Sequence, residues 1–416
     1  MTLPTITSNS KDQEEKIDIK SLEPLLKRTL DDDTLKVIDY EATSLLPAGE
    51  NYCSVLIKLD VKLRRNDTEK MCHFVAKTPS PKEKSIVDWS LIFKKELFMY
   101  TEIHPLYREL EKEAGIKEDN LINAWPRYIG HRNSLKNGTE INEDSVMLME
   151  NITTQGFYNM DRKKGLDVHH ASKALTVLAR YHALGIVMKQ RRPTFAYKAV
   201  EQSQIIGLAL EFLDQGYDSI FETIVKIPFL QKHLSIIKLS FEHARKGKIL
   251  MTTPSEPWAL ISHGDFWMNN ILFHKDEDGN IDDVKFVDFQ MYRYTSPLTD
   301  LVYFLNGSLD LITQTDHFRE LIDLYYNNFI ETLDRMSCDT LPFARESFER
   351  ELKKQAIDYL PLCVLAAKMI VFEVDGIDNN KSGSELGYTI FMSEISDIFE
   401  AKLKGLNETY ERMGWF

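Results

Sequence analysis

Residues 261–273 read ISHGDFWMNNILF and residues 285–290 read KFVDFQ. The apolar runs Ile271 to Phe273 and Val284 to Val287 flank the polar segment HKDEDGN, a pattern that predicts a β-hairpin. His263, Asp265 and Asn270 stand just ahead of the first run, and Asp288 closes the second. Four residues separate Asp265 from Asn270, giving H-x-D-x-x-x-x-N, with a further Asp about twenty residues on. Phosphoryl transfer from a nucleotide asks for one carboxylate to take the proton of the attacking hydroxyl, and an amide with a second carboxylate to hold Mg²⁺ on the phosphates. Each residue alone also has a plain structural reading. Asp265 is then a turn or cap residue, Asn270 a turn former and Asp288 a satisfied strand end. Found together at the two ends of one hairpin, they point to Asp265 as catalytic base with Asn270 and Asp288 as metal ligands.

Other readings of this region fail on spacing. A calcium loop aligned on Gly279 has His274 at its first ligand position and Lys285 at its twelfth, where Asp and Glu are required. His169-His170 and the cysteines offer no zinc spacing.

Upstream, Val55, Ile57, Leu59, Val61 and Leu63 alternate with Lys58, Asp60 and Lys62, the period of a half-buried strand. The polar turn RRNDTEK and the run Met71 to Lys77 complete an antiparallel hairpin. Trp89 to Ile103 has helical spacing, Ser145 to Met149 is a further short strand, and Ala171 to Ile186 carries the longest regular helical stripe. His182 lies on that stripe and reads as a satisfied interior histidine. The chain therefore changes from β-rich to α-rich near Glu150.

Composition limits the function classes. The 416 residues include 51 basic and 64 acidic side chains, a formal charge of −13, with 43% hydrophobic and 11% aromatic residues. Such a chain buries a sizeable core and is long enough for roughly two to three domain-sized units. Its acidity argues against nucleic acid as a partner, because phosphate binding needs clustered Lys and Arg. The apolar stretch Tyr359 to Ala367 is closed by Asp358 and Lys368 and contains Pro361, too short for a membrane span. With no apolar segment near the N-terminus, a cytoplasmic protein without membrane or obligate protein partner is expected. Cys53, Cys72, Cys338 and Cys363 are read as reduced thiols.

HGDFWMNNILF, VDFQ and MYRYTSPLTDLVYFL together resemble the choline-kinase-like group that contains the insect ecdysteroid kinase-like proteins, related to aminoglycoside phosphotransferases and more distantly to protein kinases. The likeness runs from GENYCSV near residue 49 to about residue 400. It implies an α+β, bilobal protein-kinase-like fold: a mobile arm over 1–20, a nucleotide-binding lobe over 21–149, a hinge at 150–152 and a larger helical lobe over 150–416. It also implies ATP-dependent phosphorylation of a small-molecule alcohol. Lys77 matches the phosphate-binding lysine and Glu96 the carboxylate that orients it; Gly49 falls in the phosphate-covering turn, as its single glycine. Backbone groups of Glu150, Asn151 and Ile152 would meet the adenine edge, while His263 and Asp300 would brace the catalytic loop.

Departures from protein kinases disfavour peptide substrates. The chain has HGD rather than HRD, Trp267 in place of a phosphate-directed lysine, DFQ rather than DFG, and only eleven residues between Asp288 and Asp300. The resemblance favours an ecdysteroid-like sterol or a hydroxylated xenobiotic, with apolar segments Ala196 to Leu250 and Tyr359 to Phe372 available as pocket walls. Two alternatives stand beside it. One is a choline or ethanolamine kinase, with Trp258, Trp267, Tyr292 and Tyr294 as a cage for the cation. The other is a non-catalytic binder of an apolar ligand.

Overall fold

A computed structural model describes residues 17–45, 54–79, 88–136, 140–204, 210–245, 256–372, 389–390 and 392–416. Helix α1 (Leu22–Thr29) precedes strands β1 (Lys36–Ser44), β2 (Ser54–Arg65) and β3 (Thr68–Pro79). Helices α2 (Trp89–Phe98) and α3 (His104–Glu113) follow, then β4 (Tyr128–Arg132) and β5 (Val146–Glu150). The five strands form one sheet in the order β1-β2-β3-β5-β4, antiparallel throughout.

The alternation in β2 does what its period requires. Ile57, Leu59, Val61 and Leu63 are buried with Phe74 and Ala76 of β3 and Leu22, Leu25 and Leu26 of α1, forming a core on one face of the sheet. Val75 of β3 faces the other way and packs against the main core, and Lys77, two residues on, shares its side. Asp88 begins α2 by accepting from the N–H groups of Ser90 and Leu91. The helix expected over 89–103 continues through a wide π turn at Met99–Ile103 into α3, where Pro105, lacking an N–H, enters the helix start.

Residues 17–20, expected at the end of a mobile arm, are tied to the sheet instead. The Ile17 N–H donates to the Ala42 carbonyl at 3.4 Å, Ile19 is buried, and Lys20 pairs with Asp144 at 2.9 Å. The rest of that arm lies outside the described residues.

The remainder is mostly helical. It contains α4 (Val168–Arg191), α5 (Pro193–Gln202), α6 (Leu210–Ile224) and α7 (Leu234–Ala244), then β6 (Leu260–Ser262), β7 (Ile271–Lys275), β8 (Ile281–Phe286) and β9 (Arg293–Thr295). Helices α8 (Leu298–Gly307), α9 (Leu311–Asp316), α10 (Phe318–Arg335), α11 (Arg345–Val371) and α12 (Asp397–Arg412) complete it. Strand β6 pairs with β9, and β7 with β8 as the expected hairpin. The stripe of α4, from Ala171 to Ile186, is fully buried and packs against α10. A β-rich N-terminal sheet followed by a larger helical part is the α+β arrangement that the sequence predicts. Among the described residues, no helix is long and apolar enough to cross a membrane.

Candidate active site

The hairpin register assembles one end of the site from neighbouring residues. Ile271 faces Phe286, and on the next rung the Val287 N–H donates to the Asn270 carbonyl at 3.0 Å. Asn270 and Asp288 therefore lie at the same end of the ladder. Asp288 adopts the left-handed conformation, φ 66° and ψ 54°, which takes the chain out of the strand and into a short 3-10 turn. Asn270 donates from its side-chain nitrogen to the Asp265 carbonyl at 2.9 Å and to the Asp265 carboxylate at 3.0 Å. One side chain thus ties the residue expected as base to the residues expected at the metal.

The loop carrying Asp265 is held from below by Asp300 at the start of α8. Its carboxylate accepts from the backbone N–H of His263 at 2.6 Å and of Gly264 at 2.9 Å, and from His182 at 3.1 Å. His182 in turn accepts from the Tyr325 hydroxyl at 2.8 Å. His263 donates to the Val287 carbonyl at 3.0 Å, linking the loop to the strand that ends in Asp288. Gly264 has φ +82°, and a Cβ there would run into the Met291 carbonyl oxygen, so the HGD glycine is a steric requirement.

The sheet supplies the remaining charges. Lys77 is buried, with its ammonium 2.5 Å from Glu96 of α2 and 2.6 Å from Asp288. Burial alone would lower its pKa, but the Asp288 and Glu96 carboxylates outweigh burial and hold the ammonium charged well above its ordinary range. Burial pushes the Asp265 carboxyl up to about 7, the negative charge of Asp288 adds to the rise, and the Asn270 amide opposes it. Burial also lowers the pKa of His263, keeping it a neutral brace. Asp300 goes the other way: burial would raise it, but His182 and the backbone donors keep it below the ordinary carboxylate range.

The expected hinge residues are committed locally. The N–H groups of Glu150 and Asn151 donate to the Arg127 and His73 carbonyls. The Glu150 carboxylate accepts from the Arg127 N–H, and the Asn151 side chain caps the turn at Ile152–Gln155. Ile152, packed with Phe157 and Leu272, is the one of the three whose N–H none of these bonds uses. Gly49, with the rest of its turn, lies outside the described residues.

Gln290 was not singled out by sequence reasoning. Its side chain donates to the second Asp288 oxygen at 3.1 Å, so it orients that carboxylate from the position where DFQ departs from DFG. Lys95 and Arg293 are also buried cations, and nothing in their sequence neighbourhood separates them from surface charges.

The donor set suits a hard cation. Asp288 offers carboxylate oxygens, and Asn270, with its nitrogen turned to Asp265, presents its amide oxygen. Mg²⁺ typically takes one or two protein oxygens and shares the rest of its shell with phosphates and water. Among the described residues, no group of three His, Cys, Asp or Glu side chains forms a cage of its own.

The sequence profile of the ecdysteroid kinase-like family matches residues 48–338. The chain belongs to this family. Small-molecule phosphotransfer is accordingly the activity class of this ecdysteroid kinase-like protein. No curated protein matches its sequence. Solved structures similar to it include an ethanolamine kinase from Plasmodium vivax, 12% identical, with TM-score 0.40 over 92% of this chain and 83% of that one. A GDP complex of an aminoglycoside 2'-phosphotransferase mutant is 13% identical, with TM-score 0.42 over 94% and 96%. A choline/ethanolamine kinase family protein from Mesorhizobium loti is 11% identical, with TM-score 0.30 over 84% and 90%.

Proposed function

We propose that this protein is an ATP- and Mg²⁺-dependent kinase that phosphorylates a hydroxyl of a small, largely apolar molecule, an ecdysteroid-like sterol or a hydroxylated xenobiotic. The observation that carries the reading is the pair of short contacts from the Lys77 ammonium to Glu96 and Asp288, beside the Asp265–Asn270 hydrogen bond. Lys77 is a compact cation for nucleotide phosphates, and Glu96 keeps it directed at Asp288 rather than into solvent. Asp288 and Asn270 are the oxygen ligands for Mg²⁺, which supplies charge neutralisation on the phosphates. Asp265 accepts the proton of the acceptor hydroxyl. As the acceptor oxygen bonds to the terminal phosphorus of ATP, the bond from that phosphorus to the ADP oxygen breaks and ADP leaves. A carboxyl whose pKa is raised toward 7 is a stronger base, once ionised, than an exposed aspartate.

The test is ATP consumption with Mg²⁺ across a panel of sterol alcohols, hydroxylated xenobiotics, choline and ethanolamine, with phosphorylated products followed directly. Turnover of an apolar alcohol supports the reading. Turnover confined to choline or ethanolamine would replace its acceptor class, and failure to bind MgATP would remove its basis.

A further inference from the structure

Arg293 is a buried cation with no anion beside it among the described residues. It sits in β9 directly across from Ser262 in β6, so it belongs to the strand pair that leads into Gly264 and Asp265. Only 6% of it is exposed, and its guanidinium carbon lies 5.6 Å from the centre of the Tyr359 ring in α11. Among the described residues, no carboxylate comes within ion-pairing distance of it, although 5 N–H donors on a guanidinium are a demanding set to bury.

The buried cations Lys77, Lys285 and Arg132 are matched. Lys77 has Glu96 and Asp288, Lys285 has Asp283 and the Asn123 carbonyl, and Arg132 donates to the carbonyls of Lys20 and Asp144. Lys95 is the neighbour that makes the mismatch larger. Its ammonium donates to the Ser203 carbonyl at 3.1 Å and lies 4.8 Å from the centre of the Tyr292 ring, again without a carboxylate among the described residues. Positive charge from Arg293 reaches Lys95, where it adds to the effect of burial in lowering the lysine's pKa to about 7.

Polar groups gather around the guanidinium. Among the described residues, the hydroxyls of Tyr217 in α6 and Tyr359 are buried without a partner in hydrogen-bonding geometry, Tyr217 within electrostatic reach of Arg293 and Tyr359 with Arg293 and Thr299 beside it. The half-buried Tyr303 of α8 connects this cluster to the chemistry. Its hydroxyl is pushed up by burial and by the Asp265 carboxylate, with Arg293 opposing, so it lies within electrostatic reach of both.

We propose that Arg293 is the specificity-determining residue of the acceptor site: its N–H groups bind a second oxygen function on the alcohol presented to Asp265, with the Tyr217 and Tyr359 hydroxyls completing the contact. This rests on the phosphotransfer reading above and narrows its acceptor. The substrate class is an alcohol bearing a hydrogen-bond-accepting oxygen, whether carbonyl, second hydroxyl or carboxylate. Choline and ethanolamine are excluded, because a guanidinium stays charged at all working pH values and repels their cationic heads.

The experiment compares the parent with Arg293→Met and Arg293→Lys on matched acceptors. These are a keto-sterol alcohol and its deoxo counterpart, a hydroxy acid and its methyl ester, and choline with its uncharged analogue 3,3-dimethylbutan-1-ol. Calorimetric acceptor binding in the presence of a non-hydrolysable ATP analogue is measured beside turnover, so that a slow enzyme still reports. The parent should favour the keto-sterol over its deoxo form by about 10- to 100-fold in kcat/KM or affinity, and the uncharged analogue over choline. The acid and ester arms separate a carboxylate from a carbonyl as the oxygen bound. Arg293→Met should erase these preferences chiefly through KM, and Arg293→Lys should restore part of them.

Thermal unfolding separates a folding defect from a binding one. Replacing a buried charge that has no carboxylate partner among the described residues by methionine should leave Tm unchanged or higher. A marked fall in Tm, preferences retained in Arg293→Met, or choline handled as well as its uncharged analogue would each overturn the proposal. Acceptors that bind without discrimination would overturn it too. Loss of MgATP binding in the parent, by contrast, would refute the phosphotransfer reading itself.

Discussion

The ammonium of Lys77 lies 2.6 Å from the carboxylate of Asp288, a contact across 211 residues that joins the N-terminal sheet to the end of the β7–β8 hairpin. Both carboxylates around this ammonium depend on it. Lys77→Met leaves Glu96 buried beside Asp288 with no cation between them, and should lower unfolding free energy by about 3 kcal/mol at neutral pH. Adding Glu96→Gln should recover most of that loss. Urea unfolding of the two variants decides the point: equal instability would mean that an uncompensated Glu96 is not the source.

Asp265→Asn keeps the size of the side chain but cannot take a proton. Turnover should fall about 1,000-fold while nucleotide affinity changes little. Calorimetry and a product assay on the same preparation test this, and activity within about 10-fold of the parent would contradict a base role for Asp265.

Mg²⁺ dependence should reside in Asp288. In the parent, ATP binding should tighten when Mg²⁺ is added, whereas Asp288→Asn should bind ATP with the same affinity with or without the metal. A variant still strengthened by Mg²⁺ as much as the parent would place the metal on other ligands.

Asp300 should give the protein an acid-sensitive component of stability. Its folded pKa lies below the ordinary 3.8 because His182 and backbone donors outweigh burial. The contribution is therefore complete above the unfolded value and is lost as pH falls through the lower folded one. Asp300→Asn should be less stable than the parent at pH 7, by about 2 kcal/mol, and the gap should narrow below about pH 4. Guanidinium unfolding at both ends of that range checks the sign; a gap that widens in acid would rule this out.

How much of the site was legible depended on how local each interaction is. Asn270 and Asp288 adjoin one hairpin and His263 and Asp265 lie in the loop just ahead of it, so spacing along the chain and the two-residue period of a strand bring Asn270 and Asp288 together in a register that the sequence itself implies. Likewise β2, β3, β5 and the stripe of α4 announce themselves because they alternate or repeat apolar residues against a core. Strand β1 was missed for the complementary reason: most of KVIDYEATS is exposed on the sheet edge, so burial imposes little pattern on it.

From the amino-acid sequence alone came the α+β class, the family and the hairpin that Asn270 and Asp288 adjoin. Tertiary structure alone decided where the charges went. In WSLIFKKELF the sequence treats Lys95 and Glu96 as polar punctuation between apolar residues, yet both are buried. Glu96 finds Lys77, while Lys95 comes to lie over the ring of Tyr292, within reach of the positive charge of Arg293. Hydrophobic burial follows a period that can be read along the chain. The stability of a buried charge depends on partners from distant segments, such as the 211-residue reach from Lys77 to Asp288, and those partners exist only once the chain has closed.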